Sequence, residues 1–374
     1  MSRLTWVQLP DLLAHELVAS AHDGKDVADV RDRWEQAGGQ VDAPASGRGQ
    51  AGDDRLRALA AELLDELDSR PADPALLARE PYDLAAIEAT WTTSGGATDP
   101  GTGLDDRLLG AWLGRAAGCL LGKPVEKIPR EGIREILVSQ GRWPLDDWFT
   151  AKDLPDDVGA RWPWNRRSAG TSLAENIQGM PEDDDLNFPM LALDLLERHG
   201  DALTTDDVAD SWLANLPGGR VFTAERVAYR NLLLGEVAPR TAILRNPFRE
   251  WIGAQIRTDV YGWARPGRPA EAARLAWRDA RLSHVRNGVY GAMFVAAACA
   301  RAVVSKDIGT VLEAGLSVVP PESRYAEAVR YGAELGRSAA GTEEGLDALH
   351  ARYGDLHWVH VLNNAALVGF ALTA

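Results

Sequence analysis

EDDDLNFPMLALDLLERHG, residues 182–200, is the stretch on which the reading of this chain turns. Leu186, Met190, Leu193 and Leu196 recur at helical spacing, and Gly200 after His199 is a stop signal. Pro189 is acceptable only in a first turn, so the spacing predicts a helix opening in the acidic run before it. Four consecutive carboxylates, Glu182, Asp183, Asp184 and Asp185, are tolerable at the mouth of an apolar helix only if something positive sits among them. That can be the helix N-terminus, an arginine or a metal. Capping is worth ~0.3 to 1 kcal/mol per carboxylate and accounts for about two of the four. All four together offer hard oxygen ligands of the kind Mg2+ or Mn2+ prefers.

Outward from this run the pattern is helix after helix. The segments 107–121, 206–214, 224–234, 270–282, 289–304 and 324–338 are rich in Ala, Leu and Arg, and no run shows sustained alternation of β-branched residues. The body is expected to be all-α, a compact multi-helix bundle. No fixed-period repeat points to a solenoid.

Composition narrows the partners. The chain has 374 residues, a net charge of -15 and only two cysteines, Cys119 and Cys299, both in apolar helical stretches. The acidic balance argues against nucleic acid as partner but not against a small nucleotide held by backbone amides and a metal. The cysteines read as reduced core residues. No leader opens the sequence and no apolar run reaches the ~18 residues of a membrane span, so a soluble, cytoplasmic protein is expected.

Residues 40–53 (QVDAPASGRGQAGD) and 92–103 (TTSGGATDPGTG) read as linkers, and a Pro-rich segment surrounds Pro155 to Pro163. They divide the chain into a helical N-terminal extension, 1–103, and a main domain, 104–374. Helix-period apolar positions run through 9–35 and 55–67, and a plain helical appendage is the expectation there.

Two loops stand out in the body. Residues 257–263 (RTDVYGW) lead into Pro266-Gly267, and 283–288 (SHVRNG) separates two helices with a histidine, an arginine and a glycine able to take positive φ. Trp251, Trp263 and Trp277 read as core or loop anchors.

Three motifs in order, 118–126 (GCLLGKPVE), 179–187 (GMPEDDDLN) and 279–284 (DARLSH), resemble the ADP-ribosylglycohydrolase family. The resemblance runs from about Leu104 onward. It implies an all-α bundle holding two Mg2+ ions and a hydrolase that cleaves an N- or O-glycosidic bond at the anomeric carbon of ADP-ribose. The family's Thr-Asp-Asp-Thr signature falls on Glu182, Asp183, Asp184 and Asp185, which makes these four the implied metal ligands, with Asp183 and Asp184 also catalytic. Glu126 corresponds to the acidic residue near the metals and scissile ribose. His284 corresponds to a substrate-side histidine, with Asn287 and Tyr290 as ribose or phosphate contacts. Gly253, Asp259 and Gly267 lie in the loop that would approach the substrate.

The family's second metal element, a Gly-Gly-x-Asp-Thr-Asp-x-Asn-like string, does not occur in this sequence, which ends in LNNAALVGFALTA, residues 362–374. The resemblance therefore implies a shortened and catalytically impaired form holding one Mg2+ or Mn2+ ion, or none. Two other readings stand beside the hydrolase: a protein that binds a nucleotide or sugar in the same cleft without turnover, and a structural helical protein whose acidic run is only a cap. Convergence of Glu126, Asp183, Asp184 and His284 in space would separate them. The exact substrate and the oligomeric state are open at this stage.

Overall fold

The helix Arg286–Ala302 is apolar or small on every side: Val289, Tyr290, Ala292, Met293, Phe294, Ala296, Ala297 and Ala300 are all buried. A helix of that kind has to be surrounded. Around it pack Pro269–Ala280, Asp259–Trp263, Ile308–Leu316, the 3-10 turn Ile252–Arg257 and Val361–Thr373. The computed structural model describes residues 4–47, 52–92 and 97–374. Among them are only α and 3-10 helices and one isolated antiparallel bridge between Trp251 and His360. The all-α expectation holds, and no described helix is long and apolar enough to cross a membrane.

The helices predicted from periodicity are found with ends moved by at most three residues, as Leu104–Gly122, Asp184–His199, Thr205–Asn215, Thr223–Leu233, Pro269–Ala280, Arg286–Ala302 and Arg324–Ser338. Three local expectations are corrected. The 257–263 segment is not an open loop, because the helix Asp259–Trp263 follows the 3-10 turn directly. Asn287 and Gly288 are not an interhelical turn but the first turn of Arg286–Ala302. Positive φ falls on Arg286 (37°), not on Gly288. Gly288 is needed instead for close approach: a Cβ there would stand 2.6 Å from the Arg249 carbonyl oxygen. The Pro-rich segment also contains a short helix, Asp156–Arg161.

The chain divides into two compact units, residues 1–101 with 188–374, and residues 102–187. The N-terminal region falls in the same unit as 188–374. Helices Leu9–His22, Ala28–Gln36 and Asp54–Ser69 place Leu12, Leu13, Leu17, Val30, Trp34, Leu63 and Leu64 in one apolar cluster with Val227, Phe248 and Trp251. Ion pairs hold the same joint. Arg249 donates to Glu16 (2.7 Å) and Asp23 (2.8 Å), and Arg286 to Asp23 and to Glu250 (3.0 Å). Arg324 reaches Glu80 at 2.8 Å and Glu250 at 3.2 Å. Glu16, Asp23, Glu80 and Glu250 are all buried, so each carboxylate needs its arginine. The sequence hides this because the partners lie 36 to 263 positions apart.

The supposed linkers are partly docked as well; positions 48–51 and 93–96 lie outside the described residues. The Trp34 indole donates to the Gln40 carbonyl (2.8 Å), and Thr98 N–H donates to the Gly267 carbonyl (3.1 Å).

The 102–187 unit is built on Leu104–Gly122, with Arg130–Ser139, Asp156–Arg161 and Ala169–Ser172. Its small core joins Leu137, Phe149 and Leu173 to Leu121, Val125, Ile133 and Trp164.

Candidate metal centre

Arg115, Cys119 and Lys123 follow one another at four-residue spacing along and just beyond Leu104–Gly122, so they share one helix face. This face meets the acidic turn, and both belong to the 102–187 unit. The Lys123 ammonium is ion-paired with the Asp183 carboxylate and also reaches the Glu182 carbonyl (3.4 Å). The Arg115 guanidinium stands 4.0 Å from Asp185 Oδ1. Between these cations, the Cys119 Sγ and carboxylate oxygens of Asp183 and Asp185 lie within 4.8 Å of one another, the one such triad of possible metal ligands among the described residues.

The turn is fixed from within by its own backbone. Asp183 precedes the helix Asp184–His199, and its Oδ1 accepts the Asp185 N–H (3.1 Å), the usual N-cap bond. Pro189 sits inside this helix, not in its first turn as expected from the sequence. Proline has no N–H, so the Asp185 carbonyl four residues earlier loses its helical donor. Arg115 Nε supplies the replacement at 2.7 Å. The proline thus opens a backbone acceptor at the acidic turn, and an arginine from the neighbouring helix fills it.

Electrostatics follow from this crowding. Burial raises the Cys119 thiol well above its ordinary value, with Asp185 and Asp183 adding to the shift, so the sulfur is a neutral thiol in the ion-free site. Burial also lifts Asp185, against the pull of Arg115. Burial by itself would lift Asp183 too, but the Lys123 bond and charge outweigh it and hold that carboxyl below its ordinary value.

The expected site residues divide between the two units. Glu126, Glu182, Asp183, Asp184 and Asp185 lie in the 102–187 unit. Glu126 is exposed, accepts from Asn165 Nδ2 (2.5 Å) and stands 3.6 Å from the Lys127 ammonium. Glu182 accepts from Asn187 Nδ2 (2.8 Å), and neither it nor Asp184 is part of the triad.

Asp259, Gly267, His284, Asn287 and Tyr290 lie in the other unit, the first at 5% exposure and the last three fully buried. Asn287 spends its amide on Glu80 (2.8 Å) and Glu250 (3.1 Å), and its carbonyl accepts the Tyr325 N–H (3.0 Å). The Tyr290 hydroxyl bonds the Pro81 carbonyl. His284 Nδ1 pairs with Ser283 Oγ (2.7 Å) beside Arg257, which bridges Glu225 and Asp279 at 2.6 Å each. Burial, then the Arg257 charge, keeps His284 neutral. Gly267, at φ 70°, lets the backbone approach Thr98, whose carbonyl oxygen would be 2.2 Å from an added Cβ. Arg115, Cys119 and Lys123 were not singled out as site residues from the sequence; their common helical spacing is the signal that could have found them.

A family model for ADP-ribosylglycohydrolase matches residues 100–374, and the chain belongs to that family. No curated protein and no solved structure matches it. That family is one of glycohydrolases acting on ADP-ribose conjugates, and it is in general metal-dependent. The two carboxylates of Asp183 and Asp185, on a turn locked by its own N-cap bond and by Arg115, are the hard oxygen donors such an ion takes, whereas the neutral Cys119 thiol beside them is a soft donor.

Proposed function

We propose that this chain is a Mg2+- or Mn2+-dependent hydrolase that cleaves the N- or O-glycosidic bond at the anomeric carbon of ADP-ribose or a closely related ribosyl conjugate. The observation that carries the reading is the convergence of Asp183, Asp185 and Cys119 on one point of the acidic turn. Asp183 and Asp185 are the principal ligands in this reading, with Glu182 and Asp184 flanking them. A bound divalent ion would orient ribose hydroxyls and polarise the attacking water.

The protein's own groups do the remainder. Breaking an anomeric bond passes through a positively charged, oxocarbenium-like state, which the carboxylates of the turn stabilise. Glu126 is open to solvent, as Glu182 is. Held by Asn165, it takes a proton from the incoming water or orients that water for attack. His284 stays a neutral imidazole, and with Asn287 and Tyr290 it shapes the 283–290 segment from beneath the surface.

The test is release of ADP-ribose from ADP-ribosyl-arginine, ADP-ribosyl-serine and O-acetyl-ADP-ribose with added Mg2+ or Mn2+. Turnover of one of them that stops with chelator and with Asp183→Asn is the expected result. Saturable binding of ADP-ribose with no turnover of any conjugate would instead favour a protein that only holds the ligand, a reading to which the Lys123 cation on Asp183 lends some support.

A further inference from the structure

Asp183 Oδ1 already accepts the Asp185 N–H, and Oδ2, the other oxygen of the carboxylate, is where Lys123 binds. The side chains of this pair keep only 12% and 20% of their exposure, so water screens them weakly. An ammonium and a divalent cation on one carboxylate oxygen would repel each other at close range. That repulsion favours departure of one of the two when an ion binds. Arg115 is anchored to a backbone carbonyl, whereas Lys123 is a point charge on a flexible four-carbon stem.

We infer that Lys123 is the resident cation of the acidic turn, and that a divalent ion enters by displacing its ammonium from Asp183. This rests on the metal-dependent reading above. Lys123 keeps the carboxylates assembled when no ion is bound, and it lowers ion affinity because every binding event has to break the pair. It is a positioning residue that sets how much free cation the protein needs.

Two readouts test this on the full chain. The first is calorimetric titration of Mn2+ into wild type, Lys123→Met and Lys127→Met. Lys127, paired with Glu126 at 3.6 Å, controls for the loss of one nearby positive charge. The inference expects Lys123→Met to bind Mn2+ about tenfold or more tightly than wild type, and Lys127→Met to bind as wild type does. The second needs no variant: acylation of lysines in wild type, read by mass spectrometry, should proceed faster at Lys123 once Mn2+ saturates. Equal or weaker Mn2+ binding by Lys123→Met, or Lys123 labelling unchanged by Mn2+, overturns the displacement while leaving the metal reading in place. Failure of both wild type and Lys123→Met to bind Mn2+ overturns both.

Discussion

Arg115 donates its Nε–H to the Asp185 carbonyl, the one backbone acceptor that Pro189 leaves without a helical donor. The contact couples two local sequence choices on separate helices and fixes the turn that carries the candidate metal ligands. Arg115→Ala should cost about 1 to 3 kcal/mol, the range for a buried acceptor left unpaired. Pro189→Ala restores the helical N–H, so the double variant should lose less than Arg115→Ala alone. Denaturant unfolding of the four proteins in a double-mutant cycle reads this coupling. Additive losses would show that the carbonyl was not the link.

The N-terminal region should prove inseparable from the body. Glu80 is 1% exposed and holds Arg324 and Asn287. Glu80→Ala should destabilise the fold by about 1 to 3 kcal/mol, because it removes one of the two carboxylates that hold Arg324 and the Asn287 amide and leaves only Glu250. A loss below ~1 kcal/mol in denaturant unfolding would favour a plain helical appendage.

Stability should fall on mild acidification. Burial lowers His15 to about 3 and His357 and His360 to about 4, from an ordinary 6.5. A depressed histidine is favoured neutral in the folded state, so its contribution is complete above 6.5. It is lost as pH falls toward the folded value, because the unfolded chain takes up the proton first. Each group adds a slope of up to about 1.4 kcal/mol per pH unit in that window. Unfolding free energy measured from pH 7.5 to 4.5 should be flat at the top and decline below about 6.5. A flat profile throughout would show these imidazoles to be solvated.

Gly267 distinguishes a packing role from a substrate role. With φ at 70° and the Thr98 carbonyl in the way, Gly267→Ala should cost stability, on the order of 1 to 3 kcal/mol. Loss of activity with unchanged thermal stability would instead return Gly267 to the substrate loop.

The parts of the fold that obey a local rule could be read from the sequence. Leu186, Met190, Leu193 and Leu196 mark a helix by spacing alone, and the helix Asp184–His199 is there. The acidic run correctly demanded a positive neighbour. Which neighbour was not readable, because Arg115 and Lys123 lie 70 and 60 positions from Asp185 and Asp183. The same limit hid the Glu16–Arg249 pair, 233 positions apart, and with it the joining of the N-terminal helices to the body. Asn287-Gly288 looked like a turn because that dipeptide usually is one. Here the space beside the Arg249 carbonyl demands a glycine within a helix.

Whether the acidic turn holds an ion can be measured directly. Mn2+ and Mg2+ should be titrated calorimetrically into wild type and into the combined Asp183→Asn and Asp185→Asn variant, with Asp184→Asn alongside. The account predicts saturable binding by wild type, its loss in the combined variant, and a smaller effect at Asp184, which lies outside the triad. Undiminished binding in the combined variant, or no binding by wild type at millimolar cation, would contradict it.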